Sequence, residues 1–168
     1  MADTSTRRQS VEWLRIRRAG PADQSFISEM QYAALFVPQG EAPFPRSILD
    51  QPNIARSHGG FGTLPGDAGV IAEDLDQRPL GAAWARLVEG YGFVDALTPE
   101  LGIAVVANAR GRGVGSALLR RLTVMGPRVS LSVDIRKPAM RWYERFALRT
   151  VRIEGEHTAV MLRTGVGP

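Results

Sequence analysis

The chain of 168 residues has no cysteine, which excludes disulfides, thiolate zinc sites and a cysteine nucleophile. It has two histidines, His58 and His157, too few and too scattered to suggest a metal site, so no metal is expected. Lys137 is the only lysine, and the net charge of +4 therefore rests on arginine. The arginines are spread along the chain without an aromatic-interleaved basic patch, which argues against a nucleic-acid partner. Such arginine usage suggests a GC-rich bacterial genome more than a function. No apolar run approaches the length of a membrane span. No apolar segment follows Arg7-Arg8, so a twin-arginine export signal is rejected. The expectation is a cytoplasmic protein that touches no membrane.

What is present is enough chain for one sizeable core. Residues 11–168 are expected to form a single domain behind a disordered polar tail of residues 1–10. Residues 13–17 alternate and predict a first strand. Gly20-Pro21-Ala22-Asp23 then starts a helix with Phe26, Met30, Ala33 or Ala34, and Val37 along its inner face. Residues 38–67 are rich in proline and glycine and hold a second short helix over 47–58, capped by Ser47. Residues 69–73 and 80–88 predict a hairpin, and 89–99 a loop with Tyr91, Phe93 and Asp95. A strand over 128–134 precedes a helix opened by Pro138. Residues 149–154 and 158–163 predict a closing hairpin turned at Gly155-Glu156.

The chain is organised around residues 101–125. An apolar run with three β-branched residues over 101–107 predicts a buried strand. Val114, Leu118, Leu119 and Leu122 recur at helical spacing, with Arg120 and Arg121 facing away. Between strand and helix lie Gly111, Gly113 and Gly115. Glycine lets backbone take positive φ and come close to a ligand. The unpaired N–H groups of the helix's first turn favour an anion there, and Arg110 and Arg112 add positive charge. This pattern predicts a phosphate or pyrophosphate site. A nucleoside-triphosphate loop would need Gly-Lys-Ser/Thr, which is absent. A dinucleotide fingerprint fits Gly111 and Gly113, has Ser116 where its third glycine belongs, and finds Asp134 at a suitable distance downstream.

A third template fits more fully. Arg110-Gly111-Arg112-Gly113-Val114-Gly115 matches the Arg/Gln-x-x-Gly-x-Gly/Ala acetyl-coenzyme A loop. The segment 138–148 resembles a second element, Asn-x-Ala-x-x-x-Tyr-Glu-x-x-Gly-Phe, with Lys137, Ala147 and Leu148 where Asn, Gly and Phe are usual. On these two segments the chain resembles the GNAT superfamily of N-acetyltransferases. The resemblance covers nearly its whole length. It implies an α/β (α+β) fold in the order β-α-α-β-β-β-α-β-α-β-β, with a mixed, mostly antiparallel sheet of about seven strands and flanking helices. A doubly wound dinucleotide fold would instead alternate strand and helix throughout.

The resemblance also implies roles. Pyrophosphate would lie on the backbone of Arg110, Gly111, Arg112, Gly113, Val114, Gly115 and Ser116. Pantetheine would run along Ile103, Ala104 and Val105, where a backbone N–H would polarise the thioester carbonyl. Tyr143 stands at the position of the acid that protonates the departing thiolate; a core tyrosine is the alternative. Glu100 stands near a carboxylate that acts as base in many relatives, or is an exposed residue at a strand start. Arg136 and Lys137 meet the nucleotide's phosphates or are solvated charges. Phe44, Trp84, Tyr91 and Asp95 are acceptor-pocket candidates, on the expectation that residues 38–67 and 91–95 form that pocket. His58 reads as a loop residue. The implied reaction moves acetyl from acetyl-coenzyme A to a primary amine of a small molecule or peptide. The resemblance also allows a homodimer through the closing hairpin. A non-catalytic acyl-coenzyme A sensor and a dinucleotide oxidoreductase are the competing readings.

Overall fold

A computed structural model describes residues 12–165, so the tail expected at 1–10 lies outside the described residues. Seven strands and four α-helices follow the predicted order: β1 Arg15–Arg18, α1 Gln24–Ala34, α2 Pro52–His58, β2 Ala68–Glu73, β3 Pro79–Arg86, β4 Glu100–Val105, α3 Val114–Met125, β5 Val129–Asp134, α4 Ala139–Glu144, β6 Arg149–Glu154 and β7 Thr158–Arg163. One sheet contains all seven strands in the order β1-β2-β3-β4-β5-β7-β6. Only β4 and β5 run parallel. Strand and helix alternate around parallel strands in β4-α3-β5 alone, unlike a doubly wound sheet.

Side-chain alternation along the strands builds two cores. Val70 and Ala72 of β2 and Ala83 and Ala85 of β3 share one face with Val114, Leu118, Leu119 and Leu122 of α3. Each of the four α3 side chains is at most 1% exposed, and burial of that kind stabilises by about 1.5–3 kcal/mol per side chain. Ile71, Ala82 and Trp84 point the other way and pack with Ile27 and Met30 of α1 and with Phe61. The result is a helix–sheet–helix stack.

Three local expectations need correction. The helix expected over 47–58 is two pieces, a 3₁₀ turn at Arg46–Asp50 and α2, which begins at Pro52. Proline lacks an N–H and disfavours helical backbone before it; Gln51 is accordingly extended at φ −64°, ψ 132° and caps α2 in place of Ser47. Helix α1 stops at Ala34, with Leu35 extended, so Val37 lies beyond it, and Ile27 with Met30 forms its buried face. Pro138 is the N-cap of α4 rather than its first residue. The turn leaving α4 places Ala147 at φ 62°. That left-handed backbone is what the glycine of the resembled pattern would supply freely.

Candidate active site

The site is a gap in the sheet. Strand β4 pairs with β3 along its whole length and β5 pairs likewise with β7. Between themselves β4 and β5 share one register point, Glu100↔Ser130, and diverge beyond it. The Ser130 N–H donates to the Pro99 carbonyl at 3.0 Å, while the Val106 N–H donates to Leu80 on the β3 side at 2.8 Å. Backbone groups alternate sides along a strand. The N–H groups of Ile103 and Val105 therefore face the gap, and those of Gly102 and Ala104 face β3.

A cavity of about 410 Å³ occupies this gap. Its walls include Glu100, Ile103 and Tyr143, together with Phe44, Trp84 and Tyr91. Five of the six catalytic and acceptor-pocket candidates thus share one space. Trp84 is 1% exposed, and its indole donates to the Ser57 carbonyl at 2.9 Å. It lies flat across Gly102, its cross-strand partner; a Cβ there would stand 2.3 Å from the ring. Trp84 is core and cavity wall at once.

Asp95 is not brought to the cavity. Its carboxylate pairs with Arg128 at 2.7 Å, accepts from Thr98 Oγ1 at 2.8 Å and caps the Leu97 N–H at 2.9 Å. The Arg128 and Thr98 hydrogen bonds, with that of Leu97, hold its carboxyl below the usual range. The cavity is lined instead by Phe44 with Gln31, Gln51, Asn53 and Ser57. These polar residues come from α1, α2 and their connection, and nothing in the local sequence pattern marks them. His58 is buried in the last turn of α2, bonded to Ser28 Oγ at 2.8 Å and the Leu49 carbonyl at 3.1 Å, rather than set in a loop.

Tyr143 and Glu100 are among the acid–base groups that line the cavity. Tyr143 is 7% exposed, and burial pushes its hydroxyl up to about 12. It keeps its proton at neutral pH and so has one to donate. Glu100 accepts from the Gly90 N–H at 2.5 Å and the Gly92 N–H at 3.0 Å. Burial nevertheless pushes its carboxyl above the ordinary value, against these two bonds and Arg56. Gly90 is needed for this close approach, since a Cβ there would stand 2.7 Å from Glu100 Oε2, and a Cβ on Gly92 would stand 2.7 Å from the Leu131 backbone.

The glycine loop lies at the mouth of the gap, beyond the C-terminal end of β4. Gly111 and Gly113 have φ of 72° and 86°, and a Cβ on either would meet no atom within 4 Å. The Ala117 N–H makes a helical bond back to the Gly113 carbonyl at 3.0 Å. The N–H groups of Val114, Gly115 and Ser116 in the first turn of α3 have no acceptor within the helix. Arg110 Nε donates to the Val105 carbonyl at 3.0 Å, and the Arg112 guanidinium lies 4.0 Å above the Trp13 ring. Trp142 joins this loop to Tyr143. Its indole donates to Ser116 Oγ at 3.2 Å, its ring packs beside Gly115, and Tyr143 meets it edge-on at 4.9 Å.

Lys137 also lines the cavity and is half-buried there, a placement named neither by its reading as solvated charge nor by that as a partner of phosphate. Among the described residues no three histidine or carboxylate side chains gather where a metal could sit, and no helix is long and apolar enough to cross a membrane.

Comparison with known proteins follows this geometry. The family described as "Acetyltransferase (GNAT) family" matches residues 30–147. Among solved structures, a GCN5-related N-acetyltransferase from Kribbella flavida is 24% identical, with a TM-score of 0.60 over 92% of this chain and 99% of that one. An acyl-CoA N-acyltransferase from Pseudomonas aeruginosa is 17% identical, with a TM-score of 0.59 over 90% of this chain and 99% of that one. A spermidine/spermine N-acetyltransferase from Vibrio cholerae is 16% identical, with a TM-score of 0.54 over 90% and 92%. At such identities these likenesses bear on the fold. No curated protein matches the chain.

Proposed function

We propose an acetyl transfer from acetyl-coenzyme A to an amine, on one premise: the chain belongs to the GNAT family of acetyltransferases, and is an acyltransferase. The observation that carries the proposal is one cavity lined by Tyr143, Glu100 and the free edge of β4. Residues 11–168 act as one catalytic domain.

The pyrophosphate of the donor rests on the amides of the first turn of α3, reached across Gly111 and Gly113, where no Cβ intervenes. Its pantetheine arm takes the place of a neighbouring strand beside β4, bonding to the gap-facing backbone of Ile103 and Val105. One of those N–H groups polarises the thioester carbonyl as negative charge develops on its oxygen. The amine enters from the side of Phe44, Trp84 and Tyr91, where aromatic walls suit an apolar body and Glu100 suits a cationic nitrogen. Glu100 draws the amine's proton away, directly or through water. Its raised pKa brings it closer to the range in which a base works near neutrality. Nitrogen attacks the carbonyl carbon, the C–S bond breaks, and Tyr143 gives its proton to the departing thiolate. Holding both reactants together in one cleft supplies much of the rate.

Thermal melting with acetyl-coenzyme A and, separately, with NAD tests the donor. A ligand present at a hundredfold its Kd stabilises by about 2.7 kcal/mol, so the melting point should rise with the first and stay fixed with the second. A shift with NAD alone would favour the dinucleotide reading of the glycine loop.

A further inference from the structure

The only lysine of the chain sits in the cavity. Lys137 lies between β5 and α4, at the position where the resembled pattern has asparagine. Its Nζ donates to the Ala34 carbonyl at 3.3 Å, across the cavity on α1. That is one acceptor for three donors. Among the described residues it has no carboxylate partner: Asp134, the nearest along the chain, is held by Arg136 at 2.6 and 2.9 Å. Burial, with the Arg110 charge nearby, lowers its pKa and so enlarges its neutral fraction. A partly unsatisfied amine on a flexible four-carbon stem therefore shares one space with Ile103 and Tyr143. Those are the parts that an incoming amine would use.

We propose that Lys137 is a self-acetylation site, modified by the enzyme's own acetyl-coenzyme A when no acceptor fills the cavity. The inference rests on the acetyl-coenzyme A reading of the site. In the step, Nζ forms a bond to the acetyl carbonyl carbon and the thioester C–S bond breaks. The thiolate leaves as coenzyme A thiol, taking up the equivalent of the proton that the amine loses. The product is a neutral acetamide on Lys137, which fills part of the acceptor's space and removes a cation from the channel. An external amine and Lys137 thus compete for one thioester, and acceptor protects the lysine. The alternative is a strap, in which Lys137 only ties the β5–α4 turn to the end of α1 and never reaches the carbonyl carbon.

The test is to incubate the purified full chain with acetyl-coenzyme A and no acceptor, then follow intact mass and map peptides. A single acetyl group should appear on Lys137 at least roughly tenfold faster than in the same chain unfolded in urea, because only the fold holds amine and thioester together. Lys137→Arg keeps charge and donors for Ala34 and should melt close to the parent, yet gain no acetyl group at the mapped peptide. Calorimetric titration with acetyl-coenzyme A runs in parallel. A chain that binds acetyl-coenzyme A but leaves Lys137 unmodified, or modifies it no faster than the unfolded chain, overturns the proposal alone. A chain that binds none overturns the donor assignment and this inference together.

Discussion

Gly113→Asp separates binding from folding at the glycine loop. Gly113 caps α3 with φ 86° and ψ 1°, and an added Cβ would meet nothing within 4 Å. The cost to the fold is therefore strain without a clash, about 1–2 kcal/mol for a side chain in left-handed backbone. A carboxylate at a helix N-terminus returns about 0.3–1 kcal/mol of that. The net loss of roughly 0–2 kcal/mol lowers the melting point by at most about 8 °C for a domain of this size. Binding pays separately. At about 4 Å, one new charge repels each phosphate charge by about 1 kcal/mol in bulk water and about 4 kcal/mol at an effective dielectric of 20. Two facing phosphates set a lower bound near 2 kcal/mol, roughly thirtyfold in Kd. The new side chain also occupies the amides meant for the ligand. Calorimetric titration with acetyl-coenzyme A, beside a melting scan, reads both quantities, and Gly113→Ala isolates strain from charge. A folded Gly113→Asp protein that binds as tightly as the parent would refute the placement of pyrophosphate at this loop.

Ala147→Gly should raise the melting point by about 2–4 °C, because glycine relieves about 1 kcal/mol of strain at φ 62°; an unchanged or lower melting point contradicts that. Asp67 and Arg86 form a buried pair, 3% and 1% exposed at 2.8 Å, and Asp67→Ala should cost about 3–5 kcal/mol in a denaturant titration by leaving Arg86 uncompensated. Burial alone would raise the Asp67 pKa, but Arg86 and the Leu64 and Gly62 N–H groups outweigh it and hold the carboxyl below its usual value. With the folded value depressed, the pair's stabilisation is full above the unfolded carboxylate range and is lost as pH falls through the folded value. The variant should therefore lose less stability than the parent between neutral pH and strong acid, and parallel acid-unfolding curves would contradict this. Phe44→Ala trims a cavity wall that is 39% exposed, so acceptor KM should rise with acetyl-coenzyme A Kd unchanged; a lower melting point with an unaltered KM would make Phe44 merely structural.

The sequence made the skeleton legible because its signals are local. Apolar runs, helical spacing at Val114, Leu118 and Leu122, and the alternating glycines at 111, 113 and 115 each report on their own segment. The order of elements and the loop beside β4 followed from them. Features decided by contacts distant in sequence did not follow. Pro52 marked a break, yet the split of the helix expected over 47–58 depended on weighing it above the Ser47 cap. Asp95 was an acceptor-pocket candidate, but it pairs with Arg128, which lies beyond α3 in the chain. Lys137 carried no local hint of burial; the end of α1 folding over the β5–α4 turn creates it. Gln31, Gln51, Asn53 and Ser57 come from irregular or short elements whose orientation only tertiary packing sets. Glu100 was a charged residue at a strand start, and only the approach of Gly90 and Gly92 turned it into an anchored, half-buried carboxylate.

The central claim is that this chain transfers acetyl to amines with Tyr143 as proton donor, and the most direct measurement is coenzyme A thiol release across a panel of amines. Parent protein and Tyr143→Phe are compared at matched acetyl-coenzyme A occupancy. The parent should release thiol in an amine-dependent manner with at least one acceptor, and Tyr143→Phe should turn over about 10²–10⁴ times more slowly with donor affinity nearly unchanged. A variant as fast as the parent would return Tyr143 to the core, and a parent that binds acetyl-coenzyme A but releases no thiol with any amine would make the chain a sensor of acyl-coenzyme A.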